Sequence, residues 1–213
     1  MNNVIFTYDQ ESAMSAGQGG FINESGAYVI TVSEAKLTKS QHGAEFIEFS
    51  GEADDGRKVS YLSICCKKKD GSVNTFGCSM VQAIMGCCGV RQATSHMVSV
   101  NNLIAPEFTG KRVGLVLQKI LRTKNNGDDT YGMDIRIPFY ADSRQTIAEK
   151  VEGKPATAID KMVTNLKDRD ERKSASSGSQ FYAQQNIPSA DYDNDTPFAP
   201  IGKQYPSHTI CVI

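Results

Sequence analysis

From residue 27 onward, apolar and polar positions alternate with a period of two in five stretches. This alternation is the pattern of half-buried β-strands. The stretches span residues 28–33, 45–50, 58–67, 111–122 and 131–139. Residues typical of tight turns separate most of them, as in Ala53-Asp54-Asp55-Gly56. The pattern therefore predicts a three-stranded meander followed later in the chain by a β-hairpin.

The alternation also predicts which side of each strand faces the core. The expected core positions are Tyr28, Ile30 and Val32, then Ile47 and Phe49, then Leu62 and Ile64, then Val113, Leu115 and Leu117, and finally Met133, Ile135 and Ile137. Side chains between these positions are expected to point away from the core.

Two segments change to a helical period. Asn74 is a candidate N-cap for a helix that runs to about Cys88 and ends at Gly89. Its apolar stripe consists of Phe76, Met80, Val81, Ile84 and Met85. In the second helix, Thr157 and Asp160 resemble a capping box. The apolar stripe of this helix is Ile159, Met162, Val163 and Leu166, followed by a charged continuation over 167–173.

Three strands, a helix and two further strands form the order of an OB-fold, a five-stranded barrel. Other small α+β barrels fit the same order. We expect a mainly β protein with four parts. These are a flexible arm (1–26), the OB-fold domain (27–141), a helical extension (142–173) and a disordered acidic tail (174–213).

Composition and charge exclude several function classes. The sequence has no apolar run long enough for a membrane helix and no basic, apolar signal at its start, so a cytoplasmic protein with reduced cysteines is expected. The vicinal pairs Cys65-Cys66 and Cys87-Cys88 lack the usual zinc spacing. Without a nucleophile, phosphate-loop or paired-carboxylate motif, we predict no enzyme activity and no cofactor or metal.

Candidate binding residues lie on the predicted outer side of the meander. Phe46 and Tyr61 point away from the core, where an aromatic ring can stack on an unpaired base. Basic residues flank the same sheet at three turns, and residues 27–140 hold 14 basic against 11 acidic residues. The candidate phosphate contacts are Arg57, Lys58, Lys67, Lys68, Lys69, Lys119, Arg122 and Lys124.

The tail contains an acidic run that ends in Pro-Phe. Its candidate partner-binding residues are Asp191, Tyr192, Asp193, Asp195, Pro197 and Phe198. The run resembles the acidic tip of bacterial single-stranded DNA-binding proteins, in which acids precede a terminal Ile-Pro-Phe that docks on partner proteins. In this chain Thr196 replaces the aliphatic residue, and fifteen residues, Ala199–Ile213, follow the motif.

The layout as a whole resembles phage-encoded single-stranded DNA-binding proteins of the OB type. The resemblance is carried by Ala27-Tyr28, Ala35-Lys36, Gly153-Lys154-Pro155-Ala156, Leu166-Lys167-Asp168-Arg169 and Pro197-Phe198-Ala199-Pro200-Ile201-Gly202. It implies a protein that coats single-stranded DNA with little sequence preference during phage replication or recombination, in the host cytoplasm. It also implies replication and recombination proteins as partners of the tail, and a homo-oligomer, with a dimer favoured. A protein–protein adaptor and a small nuclease or annealing enzyme are the alternatives.

Overall fold

The computed structural model describes residue 8 and residues 20–100 and 102–172, and the strands in these ranges form one eight-stranded sheet. The strands are β1 (Gly26–Lys39), β2 (Glu45–Ala53), β3 (Lys58–Lys67), β4 (His96–Ser99), β5 (Asn102–Ile104), β6 (Arg112–Thr123), β7 (Asp129–Phe139) and β8 (Arg169–Asp170). The helices are α1 (Thr75–Cys88), α2 (Ile147–Val151) and α3 (Ala158–Asn165), and a 3₁₀ turn spans Pro106–Phe108. The mainly β class predicted from the sequence is confirmed.

β1 is the strand around which the sheet is organised. One of its edges pairs antiparallel with β2, which in turn pairs with β3. The opposite edge pairs with β6 along Gly26–Thr31 and with the short β5 at Lys36 and Leu37. β6 continues beyond the start of β1. One of its edges pairs with β7, and the two-residue β8 pairs with it beyond the end of the β1 ladder. The meander and the later hairpin therefore meet on the two edges of one long strand.

The closed barrel expected from the sequence is not observed, because no hydrogen-bonded ladder joins β3 to β7. Helix α1 packs against both strands. Its side chains Phe76 and Met80 line a cavity together with Cys65 of β3 and Ile137 of β7. The helix thus lies against both strands, and the sheet stays open at this point.

The main core lies between the inner side of the sheet and α1. The alternation of apolar and polar residues correctly predicted the core positions of β1, β2 and β3, since Ile30, Phe49 and Leu62 are all buried there. Phe108, from the 3₁₀ turn, packs edge-on against Phe49 with ring centroids 5.2 Å apart. Burying a large apolar side chain stabilises a fold by roughly 1.5–3 kcal/mol, so the many side chains buried in this core stabilise the sheet strongly.

Helix α1 begins and ends where the sequence predicts. The Asn74 side chain accepts a hydrogen bond from the backbone N–H of Gly77, and Gly89 ends the helix with φ at 69°. Gly77 lies so close to the carbonyl of Cys65 that a Cβ atom would overlap it, which lets the helix rest directly on β3. The predicted apolar stripe is only partly correct, because Ile84 is buried but Phe76 is exposed.

A β-bulge in β7 changes which side of the sheet the residues of that strand face. Val116 pairs with Ile137, and Leu117 pairs with Ile135, so Arg136 is an extra residue without a partner on β6. Because of this extra residue, Ile135 faces the main core and Ile137 faces a second cluster on the other side of the sheet. The prediction that Met133, Ile135 and Ile137 all face the core is therefore wrong for Ile137.

The second cluster is the covered part of the outer side of the sheet. Val116, Phe139 and Ile159 are fully buried in it, and Val29 and Met162 pack around them. Ile159 and Met162 belong to α3, so this helix shields the outer side of β6, β7 and the start of β1. The segment predicted as a helical extension thus contains α2, α3 and the short strand β8.

A buried carboxylate, Glu149, joins α2 to α3. It forms a capping box with Thr146 at the start of α2 and also accepts hydrogen bonds from the backbone N–H groups of Thr157 and Ala158. Burial alone would raise its pKa, but the backbone donors outweigh burial and hold the pKa at about 2. The capping box predicted at Thr157 is absent, because the Thr157 hydroxyl donates to Glu149 instead.

Candidate nucleic-acid interface

The outer side of β2, β3 and the end of β1 is not covered by any described helix. The register places Phe46 between Thr38 of β1 and Cys65 of β3 on this side. Phe46 is half-buried between these neighbours. The prediction that its ring points away from the core is confirmed, since the adjacent Ile47 lies in the core cluster.

Tyr61 stands out from the same side at a β-bulge. Phe49 pairs with Leu62 and Gly51 with Val59, so β3 has one more residue than β2 between these pairs. Tyr61 adopts a φ of 61°, and 77% of its surface is exposed. A left-handed conformation at a bulky residue costs about 1–3 kcal/mol, and such residues cluster at functional sites. The fold therefore holds this ring outward at an energetic cost.

Two further exposed aromatic rings lie beside β3 and were not predicted as binding residues. Phe21 is 61% exposed and pairs with Lys58 through an isolated parallel bridge. Phe76, at the start of α1, is 67% exposed and lines a cavity with Ser63 and Cys65. Sequence periodicity assigned Phe76 to the core, and no local signal distinguishes it from the buried positions of α1. We call Phe21, Phe46, Tyr61 and Phe76 the β3 aromatics.

Several of the predicted phosphate contacts are already paired within the protein. Arg57 bonds to Asp55 at 2.6 Å and lies over the Tyr28 ring. Lys67 contacts Glu45 at 3.1 Å, and this hydrogen bond holds the pKa of Glu45 below its usual value. Arg122 is 3.4 Å from Glu171 and 3.8 Å from Asp134. These three cations are partly neutralised before any ligand arrives.

The remaining candidates have no ion pair within the described ranges: Lys58, Lys68, Lys69, Lys119 and Lys124. Lys58 begins β3, whereas Lys68 and Lys69 follow its end, so available charge is found at both ends of the strand that carries Tyr61. Lys119 lies over the Tyr131 ring at 5.2 Å on the β6–β7 hairpin. The structure thus places the first three lysines at the two ends of β3, and it places Lys119 and Lys124 on the separate β6–β7 hairpin.

Acidic residues share the outer side with the rings. Glu48 is paired in register with Lys36 of β1, and Glu34 and Glu52 project from the same side of the sheet. This surface therefore has no strong positive charge of its own. If a polyanion binds here, stacking on the aromatic rings must supply a larger share of the affinity than ionic contacts.

Burial suppresses the reactivity of two of the thiols, Cys87 and Cys88. Burial raises the pKa of Cys87 to about 12 and that of Cys88 to about 11, so neither is a thiolate at neutral pH. Within residues 20–100 and 102–172, no three His, Cys, Asp or Glu side chains gather in a way that could hold a metal ion. In those same ranges no helix has the length and apolar character needed to cross a membrane.

The predicted partner-binding residues of the tail, from Asp191 to Phe198, lie outside the described residues. No protein-family model matches the chain, and no curated protein sequence matches it. The assignment of function therefore depends on the side chains described above.

Proposed function

We propose that this protein binds single-stranded DNA with little sequence preference, through the β3 aromatics and the lysines at the two ends of β3. The observation that carries the proposal is Tyr61, an exposed ring held in a left-handed conformation on an uncovered sheet. Every base has an aromatic face, so a row of rings binds a strand without reading its sequence. Duplex DNA keeps its bases stacked on each other and cannot use such a row.

We extend the proposal to the fold family and the biological setting. Support for an OB-type fold comes from the element order and from the way β1 pairs with both the meander and the later hairpin. The resemblance to phage single-stranded DNA-binding proteins supports a non-enzymatic coating role in replication or recombination, with the protein acting as a homo-oligomer in the host cytoplasm. In this proposal the acidic segment from Asp191 to Phe198 recruits partner proteins.

The test is fluorescence anisotropy of labelled oligo-dT at two salt concentrations, with duplex DNA as competitor. The double variant Phe46→Ala, Tyr61→Ala should lose at least about 2 kcal/mol, or about 30-fold in affinity, at about 1–3 kcal/mol per stacked base. Val151→Ala is the control, because Val151 is an exposed apolar residue on α2. Unchanged binding by the double variant would show that the proposed surface is wrong.

A protein–protein adaptor is the second candidate, and two observations favour it. Met97, Val98 and Val100 are exposed at the β4–β5 hairpin, and acidic residues line the outer side of β2. Exposed apolar groups of this kind often mark protein contacts. An adaptor would bind oligo-dT weakly, and added salt or duplex competitor would remove all of that binding.

A further inference from the structure

A groove leads away from the β3 aromatics across β7. It consists of two cavities of about 720 and 730 Å³ that share Arg136 and Met162 in their walls. The first lies between β3, α1 and β7, and Phe76 is part of its lining. The second lies between β6, β7 and α3. One of the β3 aromatics therefore stands at the beginning of the groove.

The two halves of the groove differ in chemistry. The first half is mainly apolar, with Ile64, Met80 and Pro138 in its walls. The second half contains three cations that form no ion pair with any residue in the described ranges: Arg136, Lys161 and Lys167. An apolar channel that opens into unpaired positive charge is suited to a polymer with flat apolar groups on an anionic backbone.

Arg136 lies where the two halves meet, and its position comes from the bulge in β7. As the extra residue between Ile135 and Ile137, it is released from the pairing with β6. Bulges commonly redirect a side chain next to a binding site. Tyr61 likewise lies at a bulge, so the groove and the aromatic surface each depend on a local irregularity of the sheet.

We propose that this groove binds a second stretch of the same DNA strand, with phosphates on Arg136, Lys161 and Lys167. The inference rests on the proposed function and adds a path for the strand. It follows from the charge of the groove and from its continuity with the β3 aromatics through Phe76. A short oligonucleotide fills the aromatic surface alone, whereas a longer one also reaches the groove.

The experiment compares labelled oligo-dT of about 5 and about 15 nucleotides, lengths near the two ends of the range bound by single OB domains. The groove variant is Arg136→Gln, Lys161→Gln, Lys167→Gln. The control variant is Arg91→Gln, Lys111→Gln, Lys150→Gln, which removes the same charge from exposed positions outside the groove. Far-UV circular dichroism and a thermal melt establish that both variants are folded.

For the groove variant, binding of the longer strand should weaken at least tenfold. Its log–log salt slope should fall by about 2, at about 0.7 for each lost phosphate contact on a single strand. Binding of the short strand should stay within about twofold of the parent, and the control variant should match the parent for both lengths.

Three results would overturn the inference. One is an unchanged affinity of the groove variant for the longer strand, as expected if the groove receives a protein instead. Another is an equal loss for both lengths, and the third is an equal loss in the control variant. Failure of the parent protein to bind either oligonucleotide would instead refute the proposed function. Lys161→Glu alone, on the exposed side of α3, gives an independent reading with little risk to folding.

Discussion

The outer side of the sheet has two halves that differ in what lies over them. Over β6, β7 and the start of β1, α3 buries Val116 and Phe139 completely. Over β2, β3 and the end of β1 no described helix is present, and Tyr61 projects into solvent. Both halves carry large apolar or aromatic side chains. Stability explains the covered half, because burying those groups is favourable, whereas the rings left exposed on the other half are the ones to which we assign the proposed binding.

The two halves differ most where α3 is attached to the rest of the protein. Glu149 receives backbone hydrogen bonds from the starts of both α2 and α3, so one carboxylate fixes two helices on the sheet. Changes at Glu149 should therefore alter stability, and changes at the β3 aromatics should alter binding.

The largest effect is expected for Glu149→Ala. The substitution leaves the buried N–H group of Thr146 and the part-buried N–H groups of Thr157 and Ala158 without their acceptor, which should cost about 3 kcal/mol of unfolding free energy. Urea denaturation followed by circular dichroism measures the loss. Glu152→Ala is the control, because Glu152 is exposed and should change stability by less than about 0.5 kcal/mol. Equal effects of the two substitutions would show that Glu149 does not hold α3 on the sheet.

Acid should release the same connection without a mutation. The pKa of Glu149 is about 2 in the folded protein against an ordinary value of 4.5. A depressed pKa stabilises the fold above about pH 4.5, and this contribution is lost as the pH falls towards 2. The expected contribution is about 3 kcal/mol. Urea titrations across this range should fall more steeply for the parent than for Glu149→Gln, and parallel curves would contradict the assignment.

Tyr61 offers a test in which stability and binding change in opposite directions. Tyr61→Gly removes the penalty of a positive φ, and the fold should gain up to about 1 kcal/mol. The same change removes a stacking ring, so affinity for oligo-dT should fall by about 1 kcal/mol or more. Tyr61→Ala is the matched control, because it loses the ring but keeps the backbone strain. Weaker binding without greater stability in the glycine variant would show that the backbone conformation is not strained.

The smallest effect concerns the lysines beside the open half. Lys68→Gln with Lys69→Gln should lower the salt slope of oligo-dT binding by about 1.4, at about 0.7 for each phosphate contact. Arg122→Gln is the comparison, because Arg122 is paired with Glu171 and should change the slope much less. If Arg122→Gln changed the slope as much as one of these lysines does, ion pairing within the protein would not limit phosphate binding.

Local patterns predicted the elements whose boundaries depend on nearby residues. The bounds of β3 agree with the alternation over 58–67, and α1 follows from Asn74 and Gly89. These signals lie within the element itself or next to it, and long-range packing does not override them.

The features that the sequence did not predict depend on residues distant in sequence. The bulge at Arg136 is defined only by the register with β6, and the start of α3 is fixed by Glu149 of another helix. The same holds for the site. The outward direction of Phe46 follows from alternation, but the exposure of Phe76 and the pairing of Lys67 with Glu45 need the folded arrangement.

The position of Cys65 opposite Phe46 gives the molecule a built-in chemical reporter. Cys65 is half-buried on the open side, while Cys66 and Cys78 are buried and the raised pKa values of Cys87 and Cys88 suppress their reaction with alkylating reagents. With Cys211 replaced by serine, a maleimide should modify Cys65 ahead of the other cysteines. The rate of that modification would then measure how far a ligand occupies the surface around Phe46, and no attached dye would be needed.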